Sequence, residues 1–141
     1  MKTEQISKWI ADFKHSWETQ DAGQFVSLFT ENCEYRDTPF MEPVLGPEFR
    51  AFWEALAKRQ QENHIDFQIC GQPSPNRVIA TWQATTRAAA AVPGTWEHRE
   101  GNGVVLLTFD DSGRCSDFFE WQHWHVIGTP LDRRAFTWKA S

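Results

Sequence analysis

The chain has 141 residues and a mass of 16.4 kDa, a length that suits one domain whose core forms without disulfides or metal. It contains 8 Trp and 11 Phe, and this aromatic content excludes a disordered, collagen-like or coiled-coil chain. The formal net charge is -5, and the 14 Lys and Arg are scattered along the chain, which argues against a nucleic-acid partner.

The apolar segments and the cysteines indicate in which cellular compartment the protein is expected. No run approaches the roughly 20 apolar residues that a membrane-spanning helix needs, so we expect no membrane partner. Residues 1–5 lack the apolar stretch and cleavage site of a signal peptide. The three cysteines, Cys33, Cys70 and Cys115, include no Cys-x-x-Cys pair. We therefore expect a cytoplasmic protein with reduced thiols.

The first half of the chain predicts three helices. The first has Thr3 as its N-cap and an apolar face at helical spacing, formed by Ile6, Trp9, Ile10, Phe13 and Trp17. The second opens at Asp21, with Gln24 three residues on as in a capping box. The third begins at 46–48, where Pro47 suits the first helical position. Its buried side is formed by Phe49, Phe52, Trp53 and Leu56.

The remaining segments predict strands and turns. A short extended piece at 33–37 precedes an irregular segment at 38–43 that carries two prolines. Strands follow at 65–70, 78–87, 96–109 and 115–126, with turns at 72–76 and 110–113. Within 96–109, Gly101-Asn102-Gly103 predicts either a hairpin or a bulge. The tail at 127–141 shows no firm periodicity, although Trp138 suggests that it docks.

Helices followed by antiparallel strands indicate an α+β fold, in which a curved sheet wraps over the three helices and leaves a cavity. On the last strand, alternation separates two faces. Phe118, Glu120, Gln122 and Trp124 form one face, and Asp117, Phe119, Trp121, His123 and His125 form the other. Glu120 and His123 therefore cannot both point inward on a regular strand.

One set of residues resembles a known family. They are Tyr35 to Phe40, Glu42-Pro43, Gly46, Phe52-Trp53, Trp82, Gly103 to Asp110, Gly113 to Cys115, Glu120-Trp121 and His123. Over about 5–126 the chain resembles the SnoaL-like branch of the nuclear transport factor two-like superfamily. The resemblance implies a single domain, a cone-shaped barrel of mainly antiparallel sheet, a pocket at its open end, and a homodimer through the sheet face. Known members include isomerases, dehydratases, cyclases, epoxide hydrolases and non-catalytic binding domains, so the fold alone does not select an activity.

Four residues are candidates for catalysis: Asp37, Glu120, Tyr35 and His98. A carboxylate among aromatic side chains is desolvated and suits acid/base work near neutrality, which describes Asp37 or Glu120. Tyr35 or His98 would then hold a developing oxyanion. The structural alternatives are an ion pair or a dimer contact for Glu120, a turn cap for Asp37, and a hydroxyl that bonds a neighbour for Tyr35.

Further residues are candidates for binding a small, largely apolar ligand: Phe40, Trp53, Trp82, Glu100, Asn102, Trp121 and His123. The two imidazoles of His123-Trp124-His125 lack the further ligands that a metal site needs, so we predict neither metal nor cofactor. Two functions remain open. One is a pocket protein that performs cofactor-free isomerisation, dehydration, cyclisation or hydrolysis, and the other is a non-catalytic binding or dimerisation domain.

Overall fold

The structure, a computed structural model, describes residues 1–131. Its helices are α1 (Thr3–Thr19), α2 (Ala22–Ser27) and α3 (Phe49–Ala57). Its strands are β1 (Phe29–Arg36), β2 (Val44–Leu45), β3 (Gln60–Ser74), β4 (Arg77–Ala89), β5 (Trp96–Phe109) and β6 (Cys115–Val126). The predicted α+β fold is confirmed. The predicted docking of Trp138 lies outside the described residues.

The helix starts follow local hydrogen bonding. The N-cap of α1 is Lys2 rather than Thr3, which is already the first helical residue. Asp21 caps α2 as predicted, because its carboxylate accepts the Gln24 backbone N–H at 2.9 Å. The third helix starts later than predicted, since Gly46–Glu48 forms a short 3-10 turn before α3.

The sheet has six strands in the order β2-β1-β6-β5-β4-β3 and is not closed into a barrel. All neighbouring strands are antiparallel except β1 and β6, which are parallel. The predicted turn at 72–76 is shorter in the structure, because β3 continues to Ser74. The two residues of β2 were not predicted as a strand, since so short a segment carries no periodic pattern.

Strand β5 runs without a break through Gly101-Asn102-Gly103, so both predictions for this segment, a hairpin and a bulge, were wrong. The two glycines face the helices and leave room for large side chains. A Cβ on Gly101 would lie 2.5 Å from the Trp124 ring. A Cβ on Gly103 would lie 2.7 Å from the Trp82 ring and 2.4 Å from the Trp121 backbone oxygen. The glycines therefore serve packing rather than a turn.

The core between the helices and the inner face of the sheet is mainly aromatic. Phe13 of α1 lies at its centre and has aromatic neighbours on both helices and strands. These neighbours are Trp9, Phe25, Phe29, Trp53, Phe67 and Phe118. Because the helices are short, large aromatic side chains fill the space between them and the curved sheet. No helix among residues 1–131 is long and apolar enough to cross a membrane.

The two glycines of β5 can be tested by comparing Gly103→Ala with Gly71→Ala. The first adds a methyl group against a backbone oxygen that cannot move freely, and overpacking of this kind costs about 1–3 kcal/mol of unfolding free energy. The second adds a methyl group with nothing within 4 Å, so we expect a change within about 0.5 kcal/mol. Urea unfolding of both variants measures the difference, and equal stabilities would contradict the packing role of Gly103.

Candidate active site

A cavity of about 380 Å³ lies between the helices and the inner face of the sheet, a size within the range of small-molecule sites. Its walls are mostly aromatic and aliphatic, with a few polar groups. The lining residues are Phe13, Trp17, Tyr35, Asp37, Thr38, Trp53, Leu56, Gln60, Ile65, Trp82, Ala84, Glu120, Gln122 and Trp124.

Parallel pairing of β1 with β6 brings the acidic residues of the cavity together. Tyr35 pairs with Phe118 and Arg36 pairs with Phe119. One further step along this register places Asp37, just beyond the end of β1, beside Glu120. Both side chains line the cavity, and each influences the pKa of the other. This arrangement brings together segments that are far apart in sequence.

Burial decides the protonation of this pair. Glu120 is 8% exposed, and desolvation followed by the charge of Asp37 raises its pKa well above the ordinary value. Desolvation also raises the pKa of Asp37, but hydrogen bonds from Gln122 and Glu120 oppose that rise. The pKa of Glu120 is raised further than that of Asp37, which favours Glu120 as the group that keeps a proton. Such a pair titrates as a unit.

Gln122 fixes the Asp37 side of the pair. Its amide nitrogen donates to the backbone oxygen of Asp37 at 2.8 Å. Its amide oxygen accepts the indole N–H of Trp124 at 2.6 Å. The chain of contacts from Trp124 through Gln122 holds the residue after β1 in place, so Asp37 belongs to an ordered site rather than to a free turn.

Tyr35 is buried in the same wall. Its ring stacks on Phe118 with centroids 4.1 Å apart. Desolvation, with smaller contributions from Glu120 and Asp37, raises the pKa of its hydroxyl well above the ordinary value. The phenol therefore stays neutral at physiological pH and remains a hydrogen-bond donor.

The tryptophans that pack between the helices and the sheet differ in whether the indole N–H has a hydrogen-bond partner. The indole N–H of Trp9 donates to the Leu28 backbone oxygen, and that of Trp17 donates to Gln60. By contrast, the buried indole nitrogens of Trp53 and Trp82 have no partner among residues 1–131. Both rings line the cavity, and the indole N–H of Trp82 opposes part of the rise in the pKa of Glu120.

Several predicted site residues lie elsewhere. Phe40 is 99% exposed in the loop after β1, since proline-containing irregular backbone carries it away from the core. The structure places five others on the outer face of the sheet, because each strand alternates and their neighbours in sequence face inward. They are His98, Glu100, Asn102, Trp121 and His123.

The outer residues do not approach the acidic pair, which corrects the assumption that all the candidates share one cavity. Asn102 pairs in register with His123, and Glu100 pairs with His125 at 3.1 Å between carboxylate and imidazole. The described part of the chain contains no group of three or more His, Cys, Asp or Glu side chains that could hold a metal ion.

Sequence reasoning missed nine lining residues: Phe13, Trp17, Thr38, Leu56, Gln60, Ile65, Ala84, Gln122 and Trp124. Gln122 and Trp124 carried a usable signal, because alternation places both on the face of Glu120. Gln60 and Thr38 carried none, since the first lies at the start of β3 and the second in the loop after β1.

A family model described as a SnoaL-like domain matches residues 10–118, which is most of the chain. The chain belongs to this family of SnoaL-like proteins. No curated protein matches this chain significantly in sequence.

Solved structures share the fold at low sequence identity. SalBIII, an epoxide hydrolase/cyclase-like enzyme with a role in pyran ring formation in the polyether salinomycin, has 17% identity and a TM-score of 0.75, covering 89% of this chain and 99% of its own. BvnE pinacolase from Penicillium brevicompactum has 19% identity and a TM-score of 0.71, covering 85% and 84%. AusH from Aspergillus nidulans has 13% identity and a TM-score of 0.69, covering 93% and 89%.

The raised pKa of Glu120 gives the stability a definite pH dependence. The folded state keeps a proton that the unfolded state releases, so this contribution is complete below the ordinary glutamate pKa of 4.5. It is lost as the pH rises toward the folded pKa, by up to about 1.4 kcal/mol per pH unit. In Glu120→Gln, we expect the unfolding free energy to fall less between pH 4.5 and 7.5.

Urea unfolding at several pH values measures this difference. Glu42→Gln is the matched control, because Glu42 is exposed and its replacement should leave the slope unchanged. Parallel pH profiles for wild type and Glu120→Gln would show that Glu120 is an ordinary carboxylate in the folded protein.

Proposed function

We propose that this protein is a cofactor-independent acid/base enzyme that acts on a small, largely apolar substrate. The observation that carries the proposal is the buried Asp37–Glu120 pair in an aromatic-walled cavity. Two titratable groups whose surroundings separate their proton affinities supply an acid and a base at the same pH. The rest of the wall supplies binding area.

Each carboxyl group has a distinct role in the proposal. Protonated Glu120 donates its proton to an oxygen of the substrate, and ionised Asp37 accepts a proton from carbon or from an attacking hydroxyl group. The proton then returns from Asp37 to the neighbouring Glu120. This cycle conserves protons and needs no cofactor. It serves isomerisation, dehydration, cyclisation or hydrolysis.

Tyr35 is the further polar group of the proposed mechanism. Its hydroxyl stays protonated because its pKa lies well above the ordinary value, and its ring is held by Phe118. A fixed neutral donor beside an acidic pair stabilises charge that develops on a substrate oxygen. Tyr35 would do this in place of His98, which lies on the outer face of the sheet.

The structural neighbours support this class of reaction without selecting one. SalBIII is described as epoxide hydrolase/cyclase-like, and BvnE as a pinacolase. At 17% and 19% identity these proteins share the fold with this chain, and a shared fold hosts different activities. The acidic pair therefore carries the proposal, and the neighbours show only that this fold accommodates reactions of this kind.

Carbon-detected NMR titration of the two side chains tests the acid/base proposal. We expect Glu120 to titrate well above the ordinary glutamate range, and Asp37 to respond when Glu120→Gln removes the shared proton. Two ordinary, independent titrations would contradict acid/base chemistry and favour the non-catalytic binding domain.

Two simple reactions test the acidic pair kinetically. They are the addition of water to cyclohexene oxide and deuterium exchange at the α carbon of 2-tetralone. We expect Asp37→Asn and Glu120→Gln each to lower any catalysed rate by about 100-fold or more, while Glu42→Gln keeps it. A rate that survives both substitutions would show that the pair is not the acid and base.

We also propose that the outer face of the sheet forms a homodimer, as the family resemblance implies. Val104 and Trp121 expose apolar surface on that face, at 39% and 42%, and Trp121 packs on Phe119. Sedimentation equilibrium should give twice the chain mass of 16.4 kDa, and Trp121→Glu should shift the protein toward the monomer. A wild-type species at 16.4 kDa alone would contradict the dimer.

A further inference from the structure

A second cavity of about 520 Å³ lies on the outer face of the sheet, on the side away from the helices. Its walls share only Ala84 and Trp124 with the inner cavity, so neither Asp37 nor Glu120 takes part in it. Its volume lies within the range of small-molecule sites. The chemistry of its walls differs from that of the inner cavity, because polar side chains replace most of the aromatic rings.

Strand pairing arranges these polar side chains in two rows across the sheet. Residues that pair in register on neighbouring antiparallel strands present their side chains on the same face, with Cβ atoms about 5 Å apart. The first row has one member on each of β3, β4, β5 and β6, namely Asp66, Gln83, Asn102 and His123. The second row, two residues away on every strand, is formed by His64, Thr85, Glu100 and His125. We call the space over these two rows the outer groove.

The outer groove offers many hydrogen-bonding groups at regular spacing. The amides of Gln83 and Asn102 and the imidazole of His123 both donate and accept hydrogen bonds, and neighbouring strands place them about 4.8 Å apart. The next row along the sheet is different, because Val104 and Trp121 expose apolar surface there. Hydroxyl groups also both donate and accept, so a hydroxyl-rich molecule matches the groove and an apolar one does not.

The charge of the outer groove is negative. The carboxylates of Asp66 and Glu100 line it, and no Lys or Arg among residues 1–131 does. Lys14 compensates the charge of Asp66, since its ammonium group lies 3.0 Å from that carboxylate. The partner of Glu100 is instead the imidazole of His125 at 3.1 Å. With histidine counted as neutral, Glu100 contributes an uncompensated negative charge to the groove.

The chain that follows β6 gives the outer groove a side wall. It turns back at Gly128, whose φ of +89° suits glycine, and the Thr129 N–H donates to the Val126 backbone oxygen at 3.2 Å. The second ring nitrogen of His125 lies 3.1 Å from Thr129, which holds the imidazole beside Glu100. Because Leu131 then reaches the wall, the groove is a recess rather than a flat part of the sheet.

We propose that the outer groove binds a small hydroxyl-rich molecule that carries an ammonium group, as amino sugars do. The ammonium group pairs with Glu100, and the hydroxyl groups bond to Gln83, Asn102 and His123. Charge complementarity selects this class, since the groove repels an anion, and an apolar molecule would leave its donors and acceptors unpaired. This site does not rest on the acid/base proposal, because it lies on the opposite face of the sheet.

Three probes with the same sugar ring test the charge and the hydroxyl groups separately. Glucosamine is cationic, glucose is neutral and glucuronate is anionic. The side-chain amide resonances of Gln83 and Asn102 in nitrogen–proton NMR spectra report binding, and glucosamine should move both in a saturable way. We expect the dissociation constant of glucose to be about three- to tenfold higher, because hydrogen bonds to charged groups are stronger than neutral ones. Glucuronate should bind most weakly.

Two exposed substitutions separate the charge of the groove from its hydrogen bonds. Glu100→Gln keeps the shape and removes the charge, so glucosamine and glucose should bind about equally. Asn102→Ala should weaken both sugars by about three- to tenfold. The matched controls are Glu42→Gln and Gln68→Ala, because both side chains are exposed and lie outside the groove, and neither change should alter binding. Equal urea midpoints would show that all four variants fold.

Several results would overturn this inference. They are amide resonances of Gln83 and Asn102 that ignore glucosamine, glucuronate that binds as tightly as glucosamine, and a preference for glucosamine that persists in Glu100→Gln. A rise in protein concentration that moves these resonances without sugar and weakens glucosamine binding would also overturn it, because a second copy would then occupy the groove. Glu120→Gln should leave glucosamine binding unchanged, so a failure of the acid/base proposal remains distinguishable.

Discussion

Desolvation of two neighbouring carboxyl groups is the physical constraint on which the site depends. Glu120 lies among rings and aliphatic side chains that cannot solvate a charge, and Asp37 lies next to it. Both cannot ionise at little cost, because like charges at short range in a poorly solvated cavity repel strongly. The raised pKa values of the pair are thus a consequence of the aromatic wall, and a more polar wall would leave two ordinary carboxylates.

The backbone holds this pair in place through one unusual strand pairing. Antiparallel neighbours join most of the sheet, but β1 runs parallel to β6, and this register sets Asp37 against Glu120. Gln122 then ties the backbone of Asp37 to β6. Glu120 therefore lies on β6 and Asp37 directly follows the adjacent β1, which limits the relative motion of the two side chains.

Much of the fold follows from local patterns in the sequence, whereas the site follows only in part. The bounds of β5 and β6 match the predicted strands at 96–109 and 115–126, because alternation and turn residues are local signals. Alternation also grouped Glu120 with its true neighbours on β6. It could not tell which face is inward, and for this reason Glu100 and His123 were placed with the cavity.

The segment Gly101-Asn102-Gly103 shows a second limit of local reasoning. Its composition is typical of a turn, yet the glycines are required by rings that approach from β4 and β6. A non-local packing demand overrode the local preference. The contact of Asp37 with Glu120 was equally invisible, since it depends on the pairing of strands that are distant in sequence.

The cavity is energetically unfavourable for the empty protein, and this has a consequence for binding. The buried indole N–H of Trp53, which has no hydrogen-bond partner among residues 1–131, costs about 1–3 kcal/mol, and the acidic pair adds its own desolvation. The aromatic core around Phe13 offsets these costs through contacts on every side. A ligand that fills the apolar space would offset part of these costs, because its own apolar surface leaves water on binding.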